Sequence, residues 1–195
     1  MCEISQAARV PAKLYIMRHG RTDWNDQRRL QGQTDIPLNA EGRRMAEAAR
    51  ETYRETVFDI CFCSPLSRAR ETAEIFLADR DIPIIPDDRL KEIGFGIYEG
   101  AENTLLNPDS PVGRFFSAPG EYKNPPGGAE SMDSLFARTG AFLRERVTPL
   151  LAAGKRVLIV GHGGTNSSIC CQCRNLPRSE FWSAGLENCK LMELI

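Results

Sequence analysis

The stretch "LYIMRHGRTDWN", residues 14–25, runs from an apolar segment into a histidine followed by glycine. A short apolar run that ends in a polar, Gly-containing turn reads as a buried strand. "VLIVGHGG", residues 157–164, repeats the arrangement, and His19 and His162 are the chain's two histidines. In open α/β sheets, ligand sites gather at the carboxyl ends of strands, where the next turn and a helix N-terminus bring backbone N–H groups toward an anion. Two such ends on adjacent strands would hold both imidazoles in one cleft. Taken singly, either histidine could instead bond a loop carbonyl; the matched contexts weigh toward the cleft.

Working outward, "DICFCS" (59–64), "IPII" (82–85) and "KLMELI" (190–195) are further strand candidates. Helices are expected over 40–54 behind Asn39 as N-cap, over 66–79, over 131–152 behind Ser131, and over about 165–174. Strands alternating with helices predict an α/β layer fold. Residues 1–12 read as a flexible N-terminal tail and 13–195 as a single domain, with a Pro- and Gly-rich irregular insertion at about 100–128. Within it, Phe115, Phe116 and Tyr122 either line a pocket or anchor the loop.

Composition excludes several classes. Lys and Arg number 25 against 26 Asp and Glu, so no global basic field recruits nucleic acid or an anionic membrane. No stretch approaches the ~20 apolar residues of a membrane span, and the start lacks a secretory pattern, so a cytoplasmic protein is expected. Seven cysteines, without an export signal, point to reduced thiols; those in "ICCQCR" (169–174) read as packing residues. No His/Cys/Asp set has convincing metal spacing, so neither metal nor other cofactor is expected. Oligomeric state leaves no sequence signal.

Two more segments carry chemistry. In "SPLSRARETAEI" (64–75), Arg68 falls in the first turns of a helix, where a cation opposes the macrodipole unless it meets an anion such as phosphate. Arg70 reads as a surface partner of Glu71 or Glu74. In "RLKEIGFGIYEG" (89–100), Glu92 sits among Leu90, Ile93 and Phe95, surroundings that favour a protonated carboxyl able to act as general acid, although nearby arginines oppose that shift. Alone, Glu92 could equally be an ordinary loop carboxylate.

Taken in order, "RHGRTDWN", "QGQTDIPLNAEG", "SPLSRARETA", "LKEIGFGIYEG", "GGAESMDSLFAR" and "VLIVGHGG" resemble the histidine phosphatase superfamily, in the branch shared with cofactor-dependent phosphoglycerate mutases. The resemblance implies a three-layer α/β/α sandwich with a mostly parallel central sheet. It also implies that His19 attacks phosphorus and becomes a phosphohistidine, inside a phosphate pocket of Arg18, Arg68 and His162 with Asn25 beside it. Glu92 matches the acid that protonates the leaving oxygen and then activates water. The Gly163 N–H would complete the anion cradle, and Gln31, Gly32 and Thr34 fall in the substrate-facing loop.

These residue types suit the chemistry. Histidine's reference pKa of about 6.5 leaves it free to attack at neutral pH, and fixed cations and N–H donors stabilise the charge that spreads over a transferring phosphoryl group. The chain also departs from the pattern. Arg21 stands where relatives carry Glu or Gln and is either an added substrate contact or solvent-facing. Gly161 replaces the usual Ser or Thr, and Asn166 and Ser167 occupy a stretch where many relatives place an arginine. The expected function is hydrolysis of a small phosphorylated metabolite, with appearance closest to small-molecule phosphatases such as those acting on α-ribazole phosphate. A phosphoglycerate mutase is the alternative, though Arg114 lacks the second arginine that mutases use there. A non-catalytic phospho-ligand binding module is a third reading, for which a nucleophile and an acid would be superfluous.

Overall fold

The computed structural model describes residues 11–102 and 109–195. Most of the expected tail, residues 1–10, and part of the expected insertion, residues 103–108, lie outside the described residues. Five strands form one sheet: β1 (Lys13–Arg18), β2 (Ile60–Cys63), β3 (Ile84–Pro86), β4 (Arg156–Gly161) and β5 (Leu191–Glu193), in the order β3-β2-β4-β1-β5. All pairings are parallel except that of β5, which runs antiparallel to β1 at the edge.

Seven α-helices accompany them among the described residues: α1 (Asp23–Asp26), α2 (Ala40–Thr52), α3 (Ser67–Phe76), α4 (Arg114–Ser117), α5 (Met132–Phe142), α6 (Thr148–Ala152) and α7 (Gly163–Arg174). The period of two along a strand sorts the core into two layers. Tyr15, Met17, Cys61, Cys63, Leu158 and Val160 face α2 and α3, where Ala46, Ala49, Ala73 and Phe76 pack against them. Leu14, Ile16, Phe62, Val157 and Ile159 face the other way, onto Phe142, Val147, Ile169 and Cys170. The result is the three-layer α/β/α sandwich with a mostly parallel sheet that the sequence leads one to expect.

Local chemistry explains the boundaries. Asn39 caps α2, its Oδ1 accepting from the Gly42 N–H at 2.9 Å, and Ser131 caps α5 in the same way through Ser134. The single helix expected over 131–152 instead contains a π turn at Leu143–Val147 between α5 and α6. Pro149, at the start of α6, has no N–H to continue the regular ladder, and Thr148 Oγ1 bonds the Leu143 carbonyl at 3.0 Å. The expected helix at 66–79 is shorter, as α3.

The turn after β1 lies tightly on the start of α2. A Cβ on Gly20 would stand 2.5 Å from the Gly42 carbonyl oxygen, so only glycine permits this approach. The described part of the 100–128 insertion packs rather than loops freely: Val112, Phe115 and Tyr122 join Ile93, Phe95, Met132, Leu135 and Phe181 in a third cluster beside α5 and α7. The cysteines at 61, 63, 170, 171 and 189 are buried free thiols. Burial pushes the thiol pKa values up, that of Cys170 to about 12, which keeps them protonated packing groups. No helix among the described residues is long and apolar enough to cross a membrane.

Candidate active site

Parallel pairing sets Arg18 of β1 opposite Gly161 of β4, so the residues that follow, His19 and His162, leave the sheet side by side. Their ring centroids lie 5.1 Å apart with planes inclined at 59°. The His19 backbone N–H donates to the Gly161 carbonyl at 2.9 Å, and the Asn188 Nδ2 donates to the His19 carbonyl at 2.5 Å.

The His19 Nδ1 stands 2.6 Å from the carbonyl oxygen of Gly20. A carbonyl can only accept, so Nδ1 carries the proton and Nε2 keeps its lone pair. Burial first, then the guanidinium groups of Arg68 and Arg18, hold the pKa of His19 well below its ordinary value. The ring is therefore held neutral at neutral pH, with its orientation fixed and its Nε2 lone pair free. His162 is fully buried and neither ring nitrogen has a hydrogen-bond partner. Burial, Arg68, His19 and Arg18 depress its pKa as well. Leaving both nitrogens of a buried imidazole unbonded is costly; a phosphate oxygen would supply the missing partner.

Arg68 is fully buried at the start of α3. Its Nη1 and Nη2 donate to the carbonyls of Thr34 and Gly32 at 2.9 and 2.7 Å, which ties the 31–35 loop to the site, while Nε has no partner. Burial lowers its pKa to about 10, so it remains a cation at neutral pH. Arg18 donates through Nη1 to the Leu186 carbonyl at 3.2 Å, and its Nε is likewise unpartnered. Arg70 forms the surface pair expected of it, with Glu74.

Glu92 caps α7. Its Oε2 accepts from the Gly164 N–H and its Oε1 from the Thr165 N–H, each at 3.0 Å, and Oε1 also accepts from the Ile93 N–H at 2.9 Å. The Gly163 N–H, at the first position of the same helix, is one of its N-terminal donors, of the kind from which an anion can accept. Asn25 spends its Oδ1 on the backbone and hydroxyl of Thr22 in the capping box of α1, so Nδ2 is the atom it offers.

Arg18, His19, Asn25, Arg68, Glu92 and Gly163 border one cavity of about 430 Å³. Gln31 and Gly32 border it too, and Gln31 Oε1 is buried without a partner. Thr34 does not: its hydroxyl donates to Glu99 at 2.5 Å, and Glu99 buttresses the loop by accepting also from the Gln33 and Thr34 N–H groups. Arg21 stands apart as well, exposed, paired with Asp26 at 2.6 Å and facing an adjoining groove. Asn166 is buried and donates to the Met17 carbonyl at 3.0 Å, bracing β1 with an uncharged group. Sequence reasoning missed Arg28, Arg29 and Trp182, which also border the cavity, and the Asn188 contact to His19. Arg28 and Arg29 lie between two quoted motifs, which was a usable signal; nothing in the spacing marks Trp182 or Asn188. Phe115 and Phe116 line the cavity, whereas Tyr122 is buried in the third core cluster. Among the described residues, no group of three or more His, Cys, Asp or Glu side chains is placed to hold a metal ion.

Comparison with known proteins gives a consistent result. Residues 14–195 match the profile of the histidine phosphatase superfamily (branch 1). The chain is 34% identical over 184 residues to 2,3-bisphosphoglycerate-dependent phosphoglycerate mutase 2 of Gloeobacter violaceus, covering 91% of this chain and 83% of that one. It superposes with a TM-score of 0.80 on a mycobacterial glucosyl-3-phosphoglycerate phosphatase, at 28% identity over 93% of this chain and 92% of that one. A putative α-ribazole-5′-phosphate phosphatase of Escherichia coli gives 0.79, at 25% identity over 93% and 89%.

Proposed function

The chain belongs to branch 1 of the histidine phosphatase superfamily, and on that premise we propose that it hydrolyses a small phosphomonoester metabolite in two steps through His19. In the first, Nε2 attacks phosphorus in line with the ester oxygen; the N–P bond forms as the P–O bond breaks, and Glu92 gives its proton to the leaving alkoxide. In the second, Glu92 takes a proton from water as the water oxygen attacks the phosphohistidine, releasing orthophosphate and restoring neutral His19. Arg18, Arg68, His162 and the Gly163 N–H take the non-bridging oxygens, where charge accumulates. Asn25 and Gln31 contact the ester side.

The observation that carries this reading is the state of His19: neutral, buried beside two guanidinium groups, its Nδ1 anchored on the Gly20 carbonyl and its Nε2 free. The test is rapid-quench trapping of phosphoenzyme on p-nitrophenyl phosphate in EDTA. Acid-labile phosphate on His19, absent from His19→Ala together with turnover, is expected; undiminished turnover in His19→Ala would sink the mechanism. Full activity in EDTA is expected of a reaction in which arginines do the work of a metal. A cytoplasmic location, where small phosphorylated metabolites abound, belongs to the same proposal.

A phosphoglycerate mutase is the second reading, favoured by the 34% identity to a protein of that name. It would return the phosphoryl group to a sugar acid rather than to water. Arg114 does not help hold a substrate carboxylate, since it is exposed and paired with Glu121. Isomerisation of 3-phosphoglycerate primed by 2,3-bisphosphoglycerate, if faster than hydrolysis of any ester, decides for the mutase.

A further inference from the structure

Beyond the phosphoryl floor, the 430 Å³ cavity is bounded by Phe95, Phe115, Phe116 and Trp182. Phe116 and Trp182 lie nearly parallel, planes 14° apart and centroids 5.8 Å apart, and Phe115 stands edge-on to both at 5.0 and 5.1 Å. The indole N–H of Trp182 donates to the Phe115 carbonyl at 3.1 Å, so its polar atom is spent inside the wall. Phe181 packs against both Phe115 and Trp182 from behind, at 5.4 and 4.8 Å. These rings are thus held by one another, while Phe116 and Trp182 remain only half-buried and present ring surface to the cavity.

On the reading that the floor takes a phosphomonoester, we propose that the substrate carries a planar aromatic body next to its phosphate. The cavity falls in the range of roughly 300–1,000 Å³ typical of small-molecule sites and far exceeds what a phosphate needs. A hydroxylated sugar acid placed on this wall would lose water from its hydroxyls and find no hydrogen-bonding group on those rings. An aromatic body instead buries apolar surface and stacks. Arg28 suits the same ligand. It borders the cavity, has no ion-pair partner among the described residues, and is held at φ +54°, a conformation rarely adopted by a side chain of its size. Its guanidinium is available to a ring face.

Two non-hydrolysable probes test the wall without depending on turnover: 2-naphthylmethylphosphonate and methylphosphonate, titrated calorimetrically into the full chain. The naphthyl compound is expected to bind at least tenfold more tightly, and Phe116→Leu to remove most of that ratio while circular dichroism reports a folded chain. Trp182→Leu repeats the measurement on the other ring. Equal affinities in the wild type, or a ratio that survives both substitutions, overturn the proposal. Hydrolysis of 2-naphthylmethyl phosphate is followed separately. Tight, ring-dependent phosphonate binding without phosphate release would refute the hydrolase reading and leave the aromatic site standing. Turnover combined with no naphthyl preference would do the reverse.

Discussion

The cavity's floor and its wall are built in opposite ways. Arg18 and His19 reach the floor from β1, His162 stands buried beside His19 at the end of β4, Gly163 follows at the head of α7, and Arg68 is braced by two backbone carbonyls. The floor's polar atoms are buried and short of partners: both nitrogens of His162 and the Nε atoms of Arg18 and Arg68. The wall draws Phe95, Phe115, Phe116 and Trp182 from separate irregular or short segments and satisfies itself through ring contacts. Sheet register thus places the reactive groups, while packed loops shape the space above them. The floor holds unfilled hydrogen bonds, and the wall holds filled ring contacts.

The strongest way to break that contrast is at His19, the proposed nucleophile. His19→Ala should lower kcat by a factor of at least about 10⁴ and abolish phosphoenzyme, since no other group offers a neutral, oriented lone pair to phosphorus. Arg68→Ala should cost about 10²–10³ in kcat by removing a fixed donor from the transition state. Its loss also leaves the Gly32 and Thr34 carbonyls without donors, at about 1–3 kcal/mol each way the carbonyls fail to find water. Arg68→Lys keeps the charge but cannot fork to both carbonyls, so steady-state kinetics and urea unfolding of the two variants separate charge from bracing.

The same buried floor has a pH signature. The folded-state pKa values of His19 and His162 both lie below the ordinary histidine value, so below about pH 6.5 the unfolded chain binds protons that the folded chain does not. Stability contributed by these residues is whole above pH 6.5 and falls as pH drops from there toward the folded values, by up to roughly 1.4 kcal/mol per pH unit for each histidine. Urea midpoints measured at pH 7.5, 6 and 5 should decline, and His162→Asn should show a shallower decline. A midpoint independent of pH would mean that the imidazoles are not buried neutral.

Smaller, and purely steric, is Gly161→Ala. Its new Cβ would stand 2.5 Å from Asn166 Oδ1, which calls for about 1–3 kcal/mol of overpacking. Because Asn166 is the obstacle, Asn166→Ala in the same chain should restore part of that loss, a coupling readable in a double-mutant cycle. Gly161 and Asn166, both departures from the family pattern, are thus one packing arrangement.

Legibility followed the same division. The spans of β1, β2 and β4 could be read because each is a short apolar run, and α2 and α5 begin at the capping residues that announce them. His19, His162, Arg18, Arg68 and Glu92 stood out because ordered motifs surround them; the structure brings Arg18, His19, Arg68 and Glu92 to one cavity and sets His162 fully buried beside His19, behind its lining. Of the wall, Phe115 and Phe116 read in sequence as either pocket-lining or loop-anchoring; Phe95 and Trp182 could not be joined to them because the four share no period and meet only through tertiary packing. The π turn between α5 and α6 went unread because apolar spacing alone does not reveal where Pro149 interrupts the ladder. Thr34 was expected in the substrate-facing loop from the family resemblance alone, and its bond to Glu99, 65 residues away, leaves no trace in the motif.

Arg21 is where motif and geometry diverge most. It lies in the same motif as His19, two residues on, and its departure from the family pattern suggested either an added substrate contact or a solvent-facing side chain. Yet Gly20 turns the chain against α2, and the Arg21 side chain emerges 45% exposed, paired with Asp26 and outside the lining of the reactive cavity. An exposed ion pair of this kind contributes about 0–1 kcal/mol, and less as salt rises. Arg21→Gln should therefore change kcat/KM less than about threefold and the urea midpoint barely. A larger loss confined to KM, for a substrate with a second negative charge, would show that the adjoining groove shared by Arg21 and Arg28 takes part in binding, and would extend the floor's cationic chemistry outward past the wall.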